Sequence, residues 1–337
     1  MTNSSKLLWE EAYWFTKASN WIENNLSQQG IKPIASIQQF RIRHWSTILK
    51  IPTTIGDIYF KAAIPELAYE AALMETLSDY CPHSIPQILA TSKEDGWLLM
   101  GDAGMMLREK IKTEDNIQHW QEVLSLYSQL QKDSVKHLDK LLKLGIYDRR
   151  LEFLPILYQE FVNDLLTNIE ISPTNNPYEL SLLECQKLQY TVNILTSLCQ
   201  QLAAFGIPQT LHHGDLHDGN VYIQDGRYIF IDWGDSSISH PFFSLRDTYR
   251  CLKIRFKLEE NSFWFQKLKD VYLAFWVKYE TRKNLEVAFE IAQKLSPIPD
   301  ILRWLPVLSN MDEATKNNYI NFIPNLLREF LRNISQD

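Results

Sequence analysis

"LHHGDLHDGN", residues Leu211–Asn220, packs three histidines, two aspartates and an asparagine into ten positions. On composition alone it reads three ways: as a metal site, a catalytic loop or a polar turn. Its surroundings narrow the choice. Upstream, Leu188, Val192, Leu195, Cys199 and Leu202 repeat at helical spacing, and that helix ends near Gly206. Downstream, "VYIQDGRYIFID" holds two short alternating runs joined by Asp225-Gly226, a strong hairpin signal that delivers Asp232 at the end of its second strand. A loop and a hairpin end can thus set Asp215, Asn220 and Asp232 around one point. Two carboxylates and a carboxamide are hard oxygen donors and suit Mg²⁺ better than zinc. A metallohydrolase would instead use His213, His217 and Asp215 as ligands, but no remote histidine sits in a matching motif.

Spacing is the sharper clue. His213-Gly214-Asp215, then Asn220, then Asp232-Trp233-Gly234 fits H-x-D-x-x-x-x-N followed by D-aromatic-G, the kinase arrangement. In that arrangement the first aspartate takes the proton of the acceptor hydroxyl, and the asparagine and second aspartate hold the metal. With proton acceptance assigned to Asp215, His213 is expected to organise the loop by hydrogen bonding. "HGDLHDGN" followed by "IDWGD" resembles the aminoglycoside phosphotransferase and choline kinase family, which shares the protein-kinase-like fold. The resemblance implies an α+β architecture. A small five-stranded nucleotide-binding lobe, with an extra N-terminal helix, would occupy residues 1–100, and a larger, mostly helical lobe with the catalytic loop and acceptor site would occupy residues 101–337. It further implies ATP and Mg²⁺ as cofactors and a small-molecule hydroxyl as acceptor.

The first hundred residues support this independently. "SIQQFRIR", "STILKIPT" and "DIYFKA" read as three strands, and Pro65 opens a helix through "ELAYEAALMETLSDY". "IPQILA" and "GWLLMGDAG" read as two more strands, the second resembling the segment that joins the lobes, with Met100 beside the nucleotide. A kinase needs a lysine on the third strand and a glutamate on the next helix. Lys61 and Glu70 stand there; Lys50 and Glu66 are their rivals. Glu70 lies in an apolar stripe with Leu67, Met74 and Leu77, so it needs a partner, whereas Glu66 is explained by the helix dipole alone.

Three segments depart from the family pattern. "RHWST" contains no glycine, leaving phosphate contact to backbone amides and the hydroxyls of Ser46 and Thr47. Asp218 stands where proline is frequent, and "SHPFFSL" replaces a Gly-Asp-Pro. A nucleotide-binding regulator without turnover is therefore the second reading.

The bulk numbers constrain less. With 337 residues, 45% hydrophobic and 22% charged, the chain can build a large core. A net charge of −7 argues against a broad nucleic-acid face and tolerates a cationic acceptor. Cys81, Cys185, Cys199 and Cys251 form no C-x-x-C pair, so zinc-ribbon and thioredoxin readings fail. There is no apolar run of about 18 residues and no basic-then-apolar N-terminus, so a soluble, cytoplasmic protein without a membrane partner is expected. Asp235 is expected to cap a turn, and the pairs Glu259-Glu260 and Asp312-Glu313 to be solvated faces.

Overall fold

The structure, a computed structural model, describes residues 7–114, 116–171, 180–259, 261–319 and 321–335. The N-terminal residues 1–6, Glu260 and the side chain of Glu313, on which some of the expectations above fall, lie outside the described residues. A 3-10 turn at Leu8–Glu10 leads into α1 (Ala12–Gln28). Strands β1 (Gln38–Ile42), β2 (Ser46–Thr53) and β3 (Gly56–Ala63) follow, then α2 (Tyr69–Tyr80), β4 (Ile88–Ser92) and β5 (Trp97–Gly101). This is the expected order, with α2 entered through a 3-10 turn at Pro65–Leu67. Next come β6 (Met105–Met106), α3 (Leu107–Glu114), α4 (Gln118–Ser134), α5 (Leu138–Leu142), β7 (Tyr147–Asp148), α6 (Leu154–Ile171) and α7 (Leu182–Ala203). Strands β8 (Thr210–His212), β9 (Val221–Gln224), β10 (Arg227–Phe230) and β11 (Ser237–Ser239) surround the polar decapeptide. Helices α8 (Leu245–Phe256), α9 (Phe263–Ala274), α10 (Arg282–Leu295), α11 (Pro297–Ser309), α12 (Glu313–Lys316) and α13 (Phe322–Ile334) complete the chain. Among the described residues no helix is long and apolar enough to cross a membrane.

Two compact units emerge. One comprises Met1–Asp115, His217–Asp235 and Asn310–Ala314; the other comprises Asn116–Leu216, Ser236–Ser309 and Thr315–Asp337. The first unit thus runs past residue 100 and takes in the hairpin after the decapeptide. The cause is local: β6 pairs with β9, Met105 opposite Ile223, in a sheet of order β10-β9-β6. The hairpin turn has Asp225 at φ 50° and Gly226 at φ 75°, the doubly left-handed turn that Asp-Gly favours.

The main sheet of the first unit is antiparallel, in the order β1-β2-β3-β5-β4. Helix α1 covers one face. Trp14, Ala18, Ile22 and Leu26, four residues apart, are buried against Leu49, Ile51, Ile58, Phe60 and Leu99. Trp14, Trp21, Phe60 and Trp97 pack around one another with ring centroids 5.5–6.3 Å apart, and each such pair adds about 0.5–1.5 kcal/mol beyond area burial. Strand alternation then dictates the other face. Leu49 opposes Phe60 under α1, so Ile48, opposite Lys61, and Lys50, opposite Tyr59, point the other way.

The second unit is mostly helical, with α6 against α7, α4 against α9 and α11 against α13. A small sheet of order β7-β11-β8 carries the chain into the decapeptide. Cys185 and Cys199 are buried free thiols, and burial pushes Cys199 up to about 12. Two histidines here are buried neutral. His212, in β8, and His240, whose Nδ1 accepts from the Phe242 amide at 3.3 Å, are both pushed down to about 3 by burial. A histidine whose folded pKa lies below its unfolded value stabilises the fold above the unfolded pKa, and that stability is lost as pH falls toward the folded one. Each should therefore remove about 2 kcal/mol between pH 6.5 and pH 5. His240→Asn, which retains a capping acceptor without titrating in this range, is expected to flatten the pH dependence of the unfolding free energy by about that amount; urea titrations at the two pH values measure it.

Candidate active site

In the first unit Lys61, on β3, and Glu70, in the first turn of α2, are both buried, at 7% and 4% exposure. Lys61 Nζ lies 2.8 Å from Glu70 Oε1 and 2.6 Å from Oε2, and it also contacts Asp232 Oδ1. Burial alone would depress the ammonium, but the Asp232 and Glu70 carboxylates outweigh it and hold the amine charged, above its usual range. Glu70 reaches further: its Oε1 accepts from the Trp233 amide at 3.0 Å. Tyr69 Oη donates to the Gly234 carbonyl at 2.5 Å. A Cβ on Gly234 would sit 3.1 Å from Glu70 Oε2, so the D-aromatic-G glycine lets this segment close onto α2. The rival Lys50 is tied to Asp57 at 2.7 Å, at the surface of β2.

Asp232 takes φ 64°, left-handed backbone that aspartate tolerates better than most residues. Its side chain is 40% exposed, available to a ligand in a way Glu70 is not. Asn220 is brought alongside by register: Val221 opposes Phe230, and the Ile231 amide donates to the Asn220 carbonyl at 3.0 Å. The loop before Asn220 is pinned by a residue that sequence reading missed. Arg108 donates to Asp218 Oδ1 through Nε and Nη2 at 3.2 and 3.1 Å, and its amide donates to the Asp218 carbonyl. A Cβ on Gly219 would fall 2.2 Å from Arg108 Nη2. The aspartate in the usual proline position is thus a buried anchor for α3.

Asp215 belongs to the second unit. Gly214 before it has φ 82°. The strand leading in is fixed by α4: the Leu211 amide donates to Ser134 Oγ and the His213 amide to Tyr127 Oη, both at 2.9 Å. His213 Nδ1 accepts from the Asp215 amide at 3.3 Å, an organising contact of the kind expected for it. Arg303, on α11 and 5% exposed, lies with Nη1 3.3 Å from Asp215 Oδ1 and donates to the Gly214 carbonyl. The same guanidinium is 3.5 Å from Asp247 Oδ2 and 3.5 Å from Asp300 Oδ1. Arg250 closes on Asp247 at 2.6 Å, and Arg246 on Asp300 and Glu329 at 2.7 and 2.6 Å. Burial, reinforced by Asp300, pushes Asp247 up to about 6. A signal for this network was present: Asp300 and Arg303 are charges three apart in the apolar run "PIPDILRWLPVL", a pattern that burial permits only with partners.

Residues 31–253 match the phosphotransferase enzyme family. The chain belongs to that family. It is accordingly a small-molecule phosphotransferase with a hydroxyl acceptor. No curated protein matches it. Similar solved structures include an ethanolamine kinase from Plasmodium vivax, with 12% identity and TM-score 0.60 over 96% of this chain and 89% of that one. A choline kinase from Streptococcus pneumoniae gives 14% identity and TM-score 0.57 over 94% and 99%. A choline/ethanolamine kinase family protein from Mesorhizobium loti gives 16% and 0.55 over 90% and 92%. At these identities the likeness establishes the kinase-like fold.

The phosphotransferase separates the remaining expected contacts. Met100 opposes Tyr59 and so shares the Lys61 face of the sheet; Ser46 opposes Ala63 on that same face. Thr47 does not share it. It lies on the α1 side, is fully buried, donates to the Arg41 carbonyl at 2.9 Å and is within 3.3 Å of Gln39 Nε2. Strand alternation thus turns the Thr47 hydroxyl away from the Lys61 face and leaves Ser46 on it. Thr47→Ser, which retains the hydroxyl, should leave nucleotide affinity unchanged by calorimetry, whereas a loss would return Thr47 to the site.

Proposed function

We propose that this phosphotransferase transfers the γ-phosphoryl group of ATP to a hydroxyl of a small molecule. The observation carrying this reading is the buried Lys61 amine, held by Glu70 and touching Asp232. A charged lysine fixed beside an exposed carboxylate is a device for a polyphosphate and its metal. Lys61 orients the phosphates; Ser46 and Met100 line the same face of the sheet. The donor chemistry of Asn220 and Asp232, a carboxamide and a carboxylate, fits Mg²⁺. Bound there, the metal ion would offset charge on the transferring group. Asp215, aimed by Arg303 and the His213 ring, orients the acceptor hydroxyl and accepts its proton, which is typically worth about 10²–10⁴-fold. Positioning and electrostatics supply most of the rest. A cytoplasmic location fits the use of ATP, and the net charge of −7 leans toward a cationic acceptor.

The test is a coupled ADP-release assay over amino alcohols, amino sugars, neutral sugars and amino-acid derivatives, with Mg-ATP present. Acceptor-dependent release with at least one hydroxyl class is expected. Tight Mg-ATP binding with no acceptor-dependent turnover would instead make the protein a nucleotide-binding regulator.

A further inference from the structure

The nucleotide-covering turn has no glycine, so something else must grip the phosphates. The register of β1 brings a candidate onto the Lys61 face. Gln38 opposes Lys50 and Gln39 opposes Leu49, but the next pair is Arg41 with Ile48, so Phe40 is an extra residue in a β-bulge. Gln39 faces α1: its side chain donates to the Trp9 carbonyl at 3.1 Å. Simple alternation would send Arg41 to that side too. The bulge turns it instead onto the face of its partner Ile48, which is the face of Lys61. Phe40 reports the same turn, since its ring meets Tyr59, on that face, at 5.9 Å. Arg41 and Lys61 are then two strand spacings apart, about 10 Å between backbones, a span that two long cationic side chains can close on one polyphosphate.

Arg41 is also unengaged. Among the described residues its side chain makes no ion pair or hydrogen bond, while its neighbour Arg43 donates to the Ile42 carbonyl and Lys50 is held by Asp57. A half-buried guanidinium without a carboxylate partner, on the same face as a buried lysine, is arranged for a multivalent anion.

Resting on the phosphoryl-transfer reading, we propose that Arg41 is a second phosphate-binding residue, delivered by the β1 bulge in place of a glycine-rich loop, and that its ligand is the terminal phosphates of the nucleotide. Equilibrium binding of Mg-ATP, Mg-ADP and adenosine to the full chain, wild type and Arg41→Gln, tests this by calorimetry. Loss of one charge-assisted contact should weaken Mg-ATP by about 10- to 100-fold, leave adenosine unchanged and lessen the salt dependence of Mg-ATP binding; Arg41→Lys should recover part of the loss. Because Arg41 has no side-chain partner to lose, the melting temperature should stay put. Equal Mg-ATP affinity in wild type and Arg41→Gln overturns the proposal, as does an equal loss for adenosine, which would make Arg41 a support for the turn. Failure of the wild type to bind Mg-ATP at all would strike the phosphoryl-transfer reading itself.

Discussion

Asp215→Asn is expected to lower kcat by about 10²–10⁴-fold with little change in Mg-ATP affinity. The substitution is isosteric; it removes the carboxylate charge, and with it both the capacity to accept a proton and the ion pair to Arg303. Arg303 retains Asp247 and Asp300 as partners, and the His213 contact is to the backbone amide of residue 215, so the loop should hold its shape. Single-turnover assays with saturating nucleotide, alongside calorimetry, separate the two parameters. Near-wild-type turnover would remove Asp215 as the base, and a parallel loss of nucleotide binding would make it a structural residue.

Arg303→Met should cost about 3–5 kcal/mol of stability, the penalty for taking the shared cation out of a buried ion cluster in which Asp247 and Asp300 keep only Arg250 and Arg246. Asp247 and Asp300 are 4% and 5% exposed, and water cannot take over from the guanidinium there. The loss should depend on pH. Asp247, already up to about 6, rises further without Arg303. A carboxyl whose folded pKa lies above its unfolded value takes up a proton on folding, so stability is greater in acid and falls as pH rises through the folded pKa. Urea unfolding should thus show a smaller penalty at pH 5 than at pH 7.5. A loss under about 1 kcal/mol, or one equal at both pH values, would mean that the cluster is not held by Arg303.

The candidate residues of the first unit could be read from sequence because they obey local rules. Lys61 and Glu70 are nine residues apart, strand then helix, and an unexplained acid in an apolar stripe asks for a base. Asn220 and Asp232 bracket a hairpin whose turn is written as Asp-Gly. The five strands and α2 followed from the same short-range signals. Arg303 did not, since 88 positions separate it from Asp215 and only packing of α11 brings them together. Arg41 was illegible for another reason. A one-residue bulge reverses which side chains share a face, and nothing in "QQFRI" announces which residue is extra. Asp218, a departure from the family pattern by sequence, finds its reason in Arg108 of α3.

The central claim is that Asp232, opposite the Lys61 amine, holds the metal of a nucleotide. Calorimetric titration of ATP with and without Mg²⁺, into wild type and Asp232→Asn, addresses it most directly; asparagine tolerates the left-handed backbone there and removes only the charge. Mg²⁺ should strengthen ATP binding to the wild type, and Asp232→Asn should lose most of that gain. An identical Mg²⁺ effect in both proteins would contradict the claim.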